Sequence, residues 1–278
     1  MESEVKKRKA QLYKYQGIGF GICILGIIYL CCMIFGIDTY YVEWAFGRGV
    51  SFLLSFSIIL VYALFVAAGC IVARRGGVRI SEILSEECDP FLYEACISGR
   101  GRLFYRERVL CNLALARYYQ GNYDKAWETL KGIDPHKLRG IFKANFYILL
   151  SDLYFKRGMG MGVRGIEEEF RQSMKGKREQ RYFEMLCAGN NLTRALENQD
   201  YLAAFGFLCK RMELNGNTVR PWMKVNCAMK EAQIYLGLGE KESARLCLDY
   251  VVAKGGRMRC VQEAEQILAG MENASSLS

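Results

Sequence analysis

Two long runs without a charged side chain constrain this chain more than any other feature. From Gly17 to Ile37 it reads GIGFGICILGIIYLCCMIFGI, and Val50 to Val72 is a second, longer run richer in Leu, Val and Phe. At about 1.5 Å rise per residue, a helix of either length covers the roughly 30 Å hydrocarbon core of a bilayer. Eleven residues of the first run are Ile, Leu or Phe. At about −0.3 to −0.6 kcal/mol each, they favour insertion by several kcal/mol before corrections for glycine and polar groups. A cleavable signal peptide fits poorly, because the run is long, lacks a small-x-small cleavage site and is followed closely by a second span. The expectation is a transmembrane helical hairpin with spans 17–37 and 50–72.

Lysine and arginine placement sets its orientation. Lys6, Lys7, Arg8, Lys9 and Lys14 precede the first span, and Arg74, Arg75 and Arg79 follow the second. The loop from Asp38 to Gly49 carries only Arg48, against Asp38 and Glu43. Both chain ends are therefore expected in the cytosol at the cell membrane, with the short loop outside. Tyr40, Tyr41, Trp44 and Phe46 in that loop read as headgroup-level anchors, since so short a loop leaves little room for ligand contact. The basic flanks can also grip anionic membrane lipid at about 1 kcal/mol per residue. A formal net charge of +9 with basic residues clustered beside the spans points to orientation and lipid, not to nucleic acid. Neither span holds an ionisable side chain, and two helices cannot enclose a pathway, so transport is a weak reading. Small residues recur four apart at Gly17 and Gly21, Ser51 and Ser55, Ala63 and Ala67. They permit close packing within the hairpin, or a homodimer through Gly17 and Gly21.

The rest of the chain is of a different kind, because mean hydropathy over the whole is near zero. With only three prolines and plentiful Leu, Ala, Glu, Lys and Arg, it favours helix over strand. Twelve cysteines are scattered without a CxxC, and His136 is the sole histidine. No zinc spacing results, so the cysteines read as reduced, buried, small hydrophobes. Residues 1–79 thus form a basic N-terminus and hairpin, and 80–106 a helical adaptor, in which Asp89-Pro90 caps a short helix ending at Gly99 and Gly101. Residues 107–271 form a helical domain closed by a terminal helix at Val261–Met271, and 272–278 a frayed tail.

Within that domain one pattern recurs. NLALARYYQGNYDKAWETLKGI, from Asn112, places Ala114, Gly121, Tyr123, Ala126 and Leu130, with Pro135 closing the unit. Three weaker copies place Ser151, Tyr154 and Gly158; then Tyr201, Ala204 and Leu208; then Ala232, Tyr235, Gly239, Ala244 and Leu248. From turn to turn, Gly121, Gly158, Gln199 and Gly239 are 37, 41 and 40 residues apart. This pattern resembles the tetratricopeptide repeat (TPR) family, over roughly residues 107–252, with repeats longer than the roughly 34 residues usual there. The fold class expected is all-α: a transmembrane hairpin followed by an α-solenoid of TPR-like helix pairs. Stacked pairs bury a continuous core, with Ala126, Ala204 and Ala244 where helices cross closely.

The resemblance implies a scaffold that binds a cytosolic protein or peptide in a concave groove lined by the first helix of each pair. In register, that side carries Arg108, Asn112 and Asn145; Asp152, Asn190 and Thr193; and Asn226, Lys230 and Gln233. The dense lysine and asparagine pattern with which some relatives clamp a C-terminal carboxylate is missing. The alternative is an accessory membrane subunit whose hairpin pairs with a transporter or synthase. An enzyme is less expected: Gly160, Gly162 and Gly165 match GxGxxG, but helix rather than strand is expected before them, so a stretched repeat loop fits better. His136 lies in a turn without a nucleophile or carboxylate constellation. No cofactor or metal is indicated. Glu167, Glu168 and Glu169 are expected at a helix start, and Lys175 to Arg181 as a basic loop.

Overall fold

The computed structural model describes residues 1–36, 48–98, 106–174, 176–216 and 219–275. The expected loop anchors Tyr40, Tyr41, Trp44 and Phe46, the glycines at 99 and 101, Lys175 and the last three residues lie outside those ranges. The described residues are all-helical, with twelve α-helices and no strand. The chain divides into two compact units, Met1–Glu82 and Ile83–Ser278.

The first unit is built on α1 (Glu2–Gly36) and α2 (Arg48–Ser85). At 35 and 38 residues, they are about 52 and 57 Å long, and both are long and apolar enough to cross a membrane. They pack antiparallel through glycines seven residues apart. Leu12 lies against Gly76, Gly19 against Gly69, and Gly26 against Tyr62 and Phe65. A Cβ on Gly19 would sit 2.5 Å from the Gly69 carbonyl oxygen, so the backbones touch where side chains are missing, and small residues are what let two helices approach this closely. Gly17 and Gly21, by contrast, have nothing within 4 Å of a Cβ. The hairpin seam therefore runs on glycines one helical face away from that pair. Phe20, Leu25, Phe56 and Leu64 point outward and are more than half exposed.

The second unit begins at the junction capped by Asp89, whose carboxylate accepts from the amides of Phe91 and Leu92 at 3.1 and 2.9 Å. Pro90 opens α3 (Pro90–Ile97) at the first helical position. Four helix pairs follow: α4 (Arg106–Tyr119) with α5 (Tyr123–Lys131), α6 (Ile141–Lys156) with α7 (Val163–Gln172), α8 (Lys177–Glu197) with α9 (Tyr201–Asn215), and α10 (Pro221–Gly237) with α11 (Lys241–Lys254). Helix α12 (Arg259–Ser275) ends the unit; it starts before Val261 and continues through residues expected in the frayed tail.

One local device joins the two helices of every pair. Gly121, Gly158, Gln199 and Gly239 all adopt left-handed backbone, with φ of 83°, 71°, 60° and 81°. Each donates its amide to the carbonyl three residues back, at 2.9 to 3.2 Å. The next residue donates five back, at 2.8 to 2.9 Å: Asn122 to Arg117, Met159 to Tyr154, Asp200 to Ala195, Glu240 to Tyr235. That is a Schellman cap repeated four times. Five residues after each turn stand Ala126, Val163, Ala204 and Ala244, all fully buried.

The second pair departs from expectation. A short 3₁₀ turn, Gly160–Gly162, precedes α7, which starts at Val163. The three glutamates are thus mid-helix, not at its N-terminus. Their work is side-chain contact: Glu167 accepts from Asn190 and Arg194, and Glu169 from the Tyr147 hydroxyl. Residues 177–181 are likewise the first turn and a half of α8 rather than a loop. The described cysteines form no disulfide, and outside α1 and α2 only Cys88, Cys96 and Cys111 are fully buried.

The ends of the second unit meet. Arg257 donates its amide to the Cys88 carbonyl at 3.0 Å, and its guanidinium lies 3.3 Å from Asp89 and over the Phe91 ring. Arg220 pairs with Glu86 at 2.9 Å. Cys88 belongs to the same buried cluster as Val225, Val251 and Met258, and Tyr119 of the first pair packs edge-on against Trp222 of the last, centroids 5.2 Å apart. The pairs therefore close on themselves instead of ending in an open face.

Candidate functional site

Closure turns the inner face of the helix pairs into a cavity of about 400 Å³, inside the range that holds small ligands or a chain end. Its walls come mainly from the first helix of each pair. Helix α4 contributes Tyr118 and Tyr119, α6 contributes Asp152 and Lys156, and α8 contributes Thr193 and Leu196. Helix α10 runs along it from Trp222 through Asn226 and Lys230 to Gln233. Arg211 reaches in from α9, and Arg259 and Glu263 from α12.

Five of the nine groove residues expected from sequence line this cavity: Asp152, Thr193, Asn226, Lys230 and Gln233. The other four lie elsewhere. Arg108 is exposed, with its guanidinium over the Phe142 ring at 5.4 Å. Asn112 and Asn145 are half-buried nearer the starts of α4 and α6. Asn190 is buried and donates to Glu167 at 2.8 Å, tying α8 to α7. His136 is exposed in the 3₁₀ turn Pro135–Lys137 and does not line the cavity.

The lining mixes aromatic rings with both signs of charge. Tyr118 and Tyr119 stand edge to face, 5.4 Å between centroids, and burial pushes both hydroxyls' pKa upward, with Asp152 reinforcing it. Burial likewise pushes the Asp152 carboxyl's pKa upward, against the opposing pull of Arg211, Lys230 and Lys156. It pushes the Lys230 ammonium down, although Asp152 favours its charged form. Both residues retain partial contact with solvent, so they are recessed but wet.

No family model, curated protein or solved structure matches this chain.

Arg211 is a lining residue that sequence reasoning missed. Its guanidinium passes over Gly189 of α8, where a Cβ would come within 3.1 Å of Nη1. A glycine inside a helix normally weakens it; here it makes room for a cation. That pairing spans two helices and leaves no local signature. Tyr118, Tyr119 and Lys156 were also missed, but they had one: they sit two or three residues before the turn, in the row that also supplies Phe155 and Leu196 to the wall.

Proposed function

We propose that this chain is a membrane-anchored, TPR-like recognition module, tethered by its hairpin with both termini in the cytosol, that takes part of a cytosolic protein or peptide into the cavity. The observation that carries this reading is the convergence of Asp152, Thr193 and Gln233 on one cavity. All three stand six residues before their turns, so a single repeated position faces inward, as a solenoid's ligand side does. The size of the cavity favours a chain end or a few residues over a long peptide laid along a groove.

Site-specific photo-cross-linking tests it. Benzoylphenylalanine replaces Met223, which lines the cavity, or Leu246, which is exposed on α11, in the full chain embedded in membrane. The expected result is a discrete adduct with a cytosolic component from position 223 and none from 246. Equal yields at both positions would refute cavity recognition. Exchanging α1 and α2 for an unrelated hairpin should leave the adduct intact; its loss would favour the hairpin as the partner-binding element.

A further inference from the structure

Among the described residues the cavity's charges are not matched one to one. Lys156, Arg211, Lys230 and Arg259 face Asp152, Glu197 and Glu263. Arg259 and Glu263 satisfy each other at 3.4 Å along α12. Glu197 and Lys156 are exposed at the rim. That leaves Asp152 with Arg211 and Lys230 inside, and among the described residues no ion pair within 4 Å joins them. Among the described residues Lys230 is held only by the neutral Gln233 side chain, Nζ to Oε1 at 3.3 Å. Arg211 donates to no acceptor among the described residues, although a guanidinium carries five donors in a planar fork. The same cavity is also lined by three aromatic side chains, Tyr118, Tyr119 and Trp222.

We infer that the cavity binds an organic oxyanion, a carboxylate or phosphate carried on a small apolar or aromatic body, with Arg211 and Lys230 taking the oxyanion and Tyr118, Tyr119 and Trp222 flanking the body. Arginine presents the fork that matches two oxygens of one acid, and lysine adds a point charge. A partly desolvated cation without an acceptor is costly to keep, and an oxyanion supplies the missing acceptors. Asp152 limits the site to a single oxyanion, since a second would meet its carboxylate. Gly189 is the position that lets Arg211 reach the cavity. This rests on the recognition role proposed above, because it names the chemistry of what enters.

Fluorine NMR on the full chain in zwitterionic-lipid nanodiscs tests it, with 4-fluorobenzoate and 4-fluorophenyl phosphate as anions, 4-fluorobenzylammonium as the cation and 4-fluorobenzamide as the neutral control. Anions are expected to bind and the other two not. Arg211→Gln and Lys230→Met should each weaken anion binding roughly tenfold or more, the scale of a lost charge-assisted bond. Arg211→Lys, which keeps the charge but loses the fork, should fall between, and the exposed Lys241→Gln should change nothing. A fluorophenylalanine-terminated tripeptide and its C-terminal amide separate the sources: tighter binding of the peptide acid than of 4-fluorobenzoate assigns a chain end, and the reverse a free acid. Equal binding of cation or amide, no anion binding, or anion binding that survives Arg211→Gln would each overturn the inference. If cross-linking at position 223 succeeds regardless, only the oxyanion assignment falls.

Discussion

Replacing Gln199 by glycine should stabilise the second unit. Gln199 occupies the left-handed turn position at φ 60°, where the other three pairs have glycine. A side chain there crowds the following carbonyl, at about 1–2 kcal/mol. Glycine relieves that strain but gives the unfolded chain more freedom, about 0.5–1 kcal/mol in the opposite direction. The Gln199 side chain is exposed, so little contact is lost, and the net gain is about 0.5–1 kcal/mol. For a unit of this size each kcal/mol moves the midpoint by about 2–4 °C. Thermal unfolding of the full chain in detergent, followed by tryptophan fluorescence, should therefore give a rise of about 1–4 °C. The reciprocal change, Gly239→Ala, meets nothing within 4 Å of its new Cβ and has φ 81°, so backbone strain alone should lower the midpoint. A neutral or destabilising Gln199→Gly alongside a destabilising Gly239→Ala would refute the claim that the four turns are equivalent.

Gly256→Ala places a Cβ 2.7 and 2.8 Å from the carbonyl oxygens of Glu87 and Cys88, at φ 56°. It should cost roughly 2–4 kcal/mol and make residues 86–90 protease-sensitive by opening the closure; unchanged resistance would count against it. Ser151→Ala should stabilise by about 1 kcal/mol in the same melts, because the Ser151 hydroxyl is buried without a partner among the described residues and the first and last pairs carry Ala114 and Ala232 there. Alkaline stability should fall as pH rises from about 9 toward 11. Burial pushes the thiols of Cys88 and Cys187 up to about 11 and those of Cys111 and Cys260 up to about 12, from a value of 9.0. The unfolded chain then releases protons that the folded one keeps, which favours unfolding. A midpoint flat across pH 9 to 11 would contradict that burial.

What the sequence made legible was whatever repeats locally. A left-handed cap needs glycine or a residue that tolerates αL, and the helix after it needs a buried apolar residue five positions on, alanine in three pairs and Val163 in the second. Those demands reappear in each pair, so a period of about 40 residues gave away the turns at Gly121, Gly158, Gln199 and Gly239 despite the unfavourable glutamine. The same register placed Asp152, Thr193 and Gln233 on the cavity wall. Arg108, Asn112, Asn145 and Asn190, nine or thirteen residues before their turns, lie off that cavity. Only α10 brings those rows to the cavity, as Asn226 and Lys230. In α8 the corresponding row is spent on α7, through Asn190 and Glu167.

The unread part was non-local, and it decides the character of the site. Closure depends on Gly256 fitting against the backbone at residues 87 and 88, on Arg220 reaching Glu86, and on Tyr119 meeting Trp222. These pairs are separated by more than 100 residues, and no spacing rule links them. An open array with the same repeats would offer an exposed groove in which Arg211 and Lys230 were ordinary solvated cations, each worth little to a ligand. Closing the ends withdraws them from bulk water into a cavity that Tyr118 and Trp222 also line, and the same two side chains then gain strength as anion ligands because the local dielectric falls. Disrupting closure with Gly256→Ala should therefore weaken 4-fluorobenzoate binding even though residue 256 does not line the cavity. Retained binding in that variant would mean that the cations work without the ring.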